Sequence, residues 1–143
     1  MYSIDYDLSN LLKMIKIINI CAEEIKKELK LPSKLRSLLL WSRTINISIE
    51  EIPYSLKSLT IQCPSFNQPI NKLPKSLKSL IINGNCFNQS VDKLPPRLKI
   101  LRITGSGFNK PLNKLRQMLK ILKITAFLFN QNMDFLPQTI KVL

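Results

Sequence analysis

The stretch Leu73-Pro74-Lys75-Ser76-Leu77-Lys78-Ser79-Leu80-Ile81-Ile82-Asn83 decides the fold because it has close copies. Moved back by 21 residues it meets Ile52-Pro53-Tyr54-Ser55-Leu56-Lys57-Ser58-Leu59-Thr60-Ile61-Gln62. Moved forward by 21 it meets Leu94-Pro95-Pro96-Arg97-Leu98-Lys99-Ile100-Leu101-Arg102-Ile103-Thr104. Proline recurs on this grid at 32, 53, 74, 95 and 137, with Arg116 in the remaining slot. A fixed period of this length marks stacked structural units, each too small to bury its own apolar face.

Aligned on the grid, the chain forms columns of one chemical type. Leu35, Leu56, Leu77, Leu98, Leu119 and Ile140 make the first, and Leu38, Leu59, Leu80, Leu101, Leu122 and Leu143 the second. Leu40, Ile61, Ile82, Ile103 and Ile124 make the third. Later in each unit Phe-Asn recurs at 66–67, 87–88, 108–109 and 129–130, with Ile45-Asn46 as a weaker copy. With a spacing of 20, Ile15, Ile18 and Ile20 match Leu35, Leu38 and Leu40.

This spacing predicts a leucine-rich-repeat-like solenoid of about seven repeats of 20–21 residues, with one short parallel strand per repeat and an irregular convex side. Stacked strands lie about 4.8 Å apart, so each column becomes a ladder along the axis. Pro69 and Pro111 exclude a long helix from the return limb. The Phe column is expected to stack within the convex side of the core, and the Asn column to bond backbone groups of neighbouring rows. Asn46-Ile47-Ser48 and Asn88-Gln89-Ser90 match a glycosylation sequon, but both asparagines belong to that column. Residues 1–10 read as an N-terminal cap or frayed end, 11–30 as a degenerate first repeat with an amphipathic, helix-compatible return over Ala22–Leu29, and 31–143 as the solenoid proper.

The units Leu73-Pro74-Lys75-Ser76-Leu77-Lys78-Ser79-Leu80 and Phe66-Asn67-Gln68-Pro69-Ile70 resemble FNIP repeats, leucine-rich-repeat relatives abundant in social amoebae and in giant DNA viruses of amoebae. The resemblance covers about residues 31–143. It implies a curved solenoid used for protein binding.

Composition narrows the chemistry. The chain has no histidine, which removes Ser-His and Cys-His nucleophile pairs and the commonest general base. Gly84, Gly105 and Gly107 belong to no phosphate-binding loop. Cys21, Cys63 and Cys86 form no CxxC, so they read as buried or half-buried free thiols, not as a zinc site. A non-catalytic protein without cofactor or metal is expected. No run of eighteen apolar residues is present, so no membrane span is expected, and the acidic start at Asp5 and Asp7 does not read as a secretory signal. A cytoplasmic location follows as the expectation, in the host cytoplasm if the protein is viral.

Charge is uneven. Residues 1–51 hold eight Lys/Arg against seven Asp/Glu, whereas residues 52–143 hold fourteen against Asp92 and Asp134 alone. A surface of that kind attracts acidic partners, nucleic acid included.

Two candidate surfaces emerge. Strand residues between the apolar columns face outward on the concave side, where Leu39, Trp41, Thr60, Gln62, Ile81, Asn83, Ile100, Arg102 and Lys123 are candidates for contacting a protein partner. Polyanion or nucleic-acid binding is the alternative, through Arg36, Lys57, Lys78, Lys99 and Lys120 in one stripe and Lys72, Lys93 and Lys114 in a second. No exposed aromatic is expected beside these stripes to stack bases. The final row ends as a strand, Ile140 to Leu143, which predicts either self-association through an open edge or fraying.

Overall fold

A computed structural model describes residues 15–26, 31–46, 52–115 and 117–142. They contain the strands β1 (Ile17–Lys26), β2 (Ser37–Asn46), β3 (Ser58–Gln62), β4 (Ser79–Asn83), β5 (Ile100–Thr104), β6 (Ile121–Thr125) and β7 (Lys141–Val142). All pair in parallel in one sheet, in chain order. Each strand meets its successor in the register of the sequence grid, so that Ser37 pairs with Ser58, Ser58 with Ser79, and Ser79 with Ile100. The chain is thus a parallel-strand β-solenoid, with no helix among the described residues. None of them forms a helix long and apolar enough to cross a membrane.

The local physics of each turn is legible. In β3 and β4 alternate residues are buried, Leu59 and Ile61 in one and Leu80 and Ile82 in the other, as a strand with one covered face requires. The proline that precedes a row needs no N–H of its own, but its carbonyl accepts from the leucine three residues on. Leu35 donates to Pro32 O at 3.0 Å, Leu77 to Pro74 O at 3.0 Å and Leu98 to Pro95 O at 3.1 Å. The basic residue that follows then opens the inter-row ladder. Lys57 N donates to Arg36 O, Lys78 N to Lys57 O and Lys99 N to Lys78 O, each at 2.8 Å.

Inside, the columns fuse into one apolar core that runs along the axis from Leu35 to Leu122. Phe66, Phe87, Phe108 and Phe129 stack nearly parallel with ring centroids 5.8, 5.9 and 6.0 Å apart, within the offset-stacking range. Beside them runs the asparagine ladder. Asn67 Oδ1 accepts from Asn88 N–H at 2.9 Å, Asn88 Oδ1 from Asn109 N–H at 3.0 Å, and Asn109 Oδ1 from Asn130 N–H at 3.2 Å. This places Asn88 of the second sequon in a structural bond. Rows also approach closely after β4 and β5. A Cβ on Gly84 would lie 2.7 Å from Cys63 O, and one on Gly105, whose φ is +149°, would strike Gly84 O.

Three expectations are corrected. The helix-compatible stretch after Ala22 continues as strand to Lys26, because β1 pairs with β2 as far as Lys26–Asn46; the rest of that stretch, 27–29, lies outside the described residues. A single helical turn or two is marginal by itself, whereas an extended neighbour offers a full ladder of backbone bonds. For the same reason Ile45-Asn46 does not repeat the Phe-Asn turn: both residues lie within β2. Of the three free thiols only Cys63 is buried, with its Sγ 3.3 Å from Arg43 O; Cys21 and Cys86 are exposed. Cys21 falls on an outward strand position and Cys86 in the turn after β4. The cap over 1–10, Arg116 and the terminal Leu143 lie outside the described residues.

Candidate functional site: the open face of the sheet

Parallel pairing in register turns sequence columns into lines of side chains on the uncovered face. Leu39, Thr60, Ile81, Arg102 and Lys123 form the central line, since each pairs with the next across β2 to β6. Trp41, Gln62 and Asn83 form a second line, continued by Thr104 and Thr125. Ile100 belongs to a third, with Ser79 on one side and Ile121 on the other. The nine residues expected to contact a partner therefore share one surface.

The face changes character along the axis. At the β1–β2 end it presents exposed Ile17 and Trp41, the latter 45% exposed, with exposed Asn19 beside Leu39. Hydroxyl and amide groups dominate across β3 and β4, where Thr60, Gln62 and Asn83 are half-buried. At the β5–β6 end it is cationic, through half-buried Arg102 and exposed Lys123. Arg102 carries the most informative detail: its Nε is buried and has no hydrogen-bond partner. A buried donor left without a partner costs about 1–3 kcal/mol.

The basic residues occupy different places. Arg36, Lys78 and Lys120 are exposed and Lys57 and Lys99 half-buried, in a line just ahead of the strands. Lys72, Lys93 and Lys114 project from the return limbs, all exposed, and Lys114 Nζ lies 3.5 Å from Asp92 Oδ2. The expected lack of an aromatic beside these stripes is corrected by Tyr54. Its side chain is 88% exposed and lines the same surface cleft as Lys72 and Lys93.

Sequence reasoning also passed over Ile17 and Cys21 on the open face. Pairing places Ile17 beside Ser37 and Cys21 beside Trp41. The 20-residue spacing of the first row held that signal. Tyr54 was readable too, as the residue after the proline in its row.

These features define a class, a parallel β-solenoid with an uncovered mixed face, and nothing narrower. No protein-family model matches the chain, and no curated protein matches it.

Proposed function

We propose that this chain is a non-catalytic interaction scaffold that binds another protein across the open face of its sheet. The observation that carries the reading is a single open face that presents exposed Trp41 at one end and half-buried Arg102 with exposed Lys123 at the other. A partner segment lying along the axis would cover the indole and bring a carbonyl or carboxylate to Arg102. Buried aromatic and arginine anchors are the residues that most often dominate binding energy. The half-buried Leu39, Ile81 and Ile100 would add complementarity between them.

The repeat pattern supports placing the chain among leucine-rich-repeat-like solenoids of the FNIP type, with about seven repeats and this face concave. On that reading the natural source of a partner is an amoebal cytoplasm. The test is capture by tagged full-length chain from amoebal lysate, with nuclease present and at physiological salt. The expected result is a small set of proteins retained by the wild type and reduced at least about tenfold by Trp41→Ala or Arg102→Ala. Equal retention by wild type and both variants would refute the open-face reading.

A further inference from the structure

A second surface lies outside the sheet face. The turns that lead into β4 and β5 are separated by a cleft of about 910 Å³, whose inner wall is formed by Leu73-Pro74 and Leu94-Pro95, all buried. Around it stand Lys72 and Lys75 from one row and Lys93 and Arg97 from the next, all exposed. Tyr54, contributed by the row before, also lines it. Asp92 is the one carboxylate in the lining, and its Oδ2 is 3.5 Å from Lys114 Nζ. Among the described residues of the lining, cations outnumber the one carboxylate, which already has a basic neighbour.

The two rows that line the cleft differ at one repeat position. In rows that keep a hydroxyl two residues after the proline, it reaches back to the preceding row: Ser55 Oγ donates to Leu35 O, Ser76 Oγ to Leu56 O, and Thr139 Oγ1 to Leu119 O. Arg97 occupies that position in the β5 row and has no hydroxyl to donate. A cation stands there instead. A neighbouring depression of about 280 Å³ shares Asn71, Asp92 and Lys93 with the cleft and extends it toward Gln89 and Ser90. The two make one track across adjacent rows, open along its length and not closed around a small ion.

We propose that this track binds single-stranded nucleic acid, with Tyr54 as a stacking platform for a base and Lys72, Lys75, Lys93 and Arg97 as phosphate contacts. An aromatic ring beside a run of cations is the combination that binds single strands with little sequence preference, because every base has a stacking face. An acidic peptide would use the cations but has no use for an uncovered ring at the rim. Adjacent rows rise by about 4.8 Å, so the paired cations form a ladder that an extended phosphate backbone can follow. The site is independent of the open face and of any partner bound there.

The experiment is fluorescence anisotropy of the full chain with a labelled oligothymidylate, titrated over a range of salt. Four phosphate contacts on a single strand give a log–log salt slope of about −3. Tyr54→Ala weakens binding at least about fivefold and Tyr54→Phe stays within about twofold of wild type. Lys75→Gln/Arg97→Gln weakens it about tenfold or more, whereas Arg43→Gln/Lys110→Gln, which removes the same charge elsewhere, stays within about twofold. All five side chains lie at the surface or half-buried, and unchanged circular dichroism and melting confirm that each variant folds. The proposal is overturned if Tyr54→Ala binds like wild type or if the two double variants weaken equally. It is overturned equally if duplex DNA or a polyglutamate peptide displaces the probe as well as unlabelled oligothymidylate does.

Discussion

The rows built around Phe87 and Phe108 and the row built around Phe129 draw on the same columns, yet their environments differ. Phe87 and Phe108 are buried with a ring stacked on each side, whereas Phe129 has a ring on one side only and is half-buried. Ile70, Val91 and Leu112 are buried, while Met133, next in their column, is 41% exposed. Beyond the columns, the last row puts Phe127 and Phe135, 90% and 70% exposed, where the preceding rows carry Asn85 and Ser106, and Lys93 and Lys114. In a solenoid a residue is buried by the next row as much as by its own. The same sequence letter therefore has a different energy in the middle and at the end.

Deleting a ring should expose that difference most strongly. Phe87→Ala removes a fully buried ring and is expected to cost about 3–5 kcal/mol, while Phe129→Ala costs less than half as much, read from denaturant unfolding. Equal losses would mean that the last row is covered after all. Gly105→Ala comes next: the left-handed backbone and the Gly84 carbonyl leave no place for a Cβ, and a loss of more than about 1 kcal/mol is expected. Asn88→Ala removes one rung of the amide ladder and should cost about 1 kcal/mol. The matching change at Asn130, whose Oδ1 meets the neighbouring Gln131 Nε2 and no other described residue, should stay within about 0.5 kcal/mol. Smallest in stability is Phe127→Ser/Phe135→Lys, expected within about 0.5 kcal/mol, because both rings are already in water. That pair has a separate readout. If the terminal row drives self-association, sedimentation of the wild type depends on concentration and that of the double variant does not.

Much of the architecture was legible in the sequence because a 21-residue period leaves little choice. The columns of Leu77, Leu80 and Ile82 fixed the strand, its parallel pairing and its register together, and the Phe-Asn pairs located the ring stack and the amide ladder. Legibility failed where neighbours override local pattern. The segment after Ala22 looks amphipathic by itself, but its conformation is set by pairing with β2, which a reading of that segment alone does not contain. Cys21 and Cys86 failed for a related reason: thiols are usually buried, but here the grid position decides.

The candidate surfaces were half readable. Alternation identified which strand residues face outward, and Trp41, Arg102 and Lys123 do share one face. The unpaired Arg102 Nε could not be foreseen, because it depends on the depth to which one side chain sinks among its neighbours. Nor could the cleft beside Tyr54, since its lining is drawn from three rows at once.

The most direct test of the open face as the working surface is site-specific photo-crosslinking in amoebal lysate. A photoreactive residue is placed either at Thr60, in the centre of the face, or at Gln68, on an exposed return limb. The account predicts one dominant protein adduct from Thr60, lost on adding Arg102→Ala, and none from Gln68. Adducts from Gln68 alone, or a Thr60 adduct indifferent to Arg102, would contradict it.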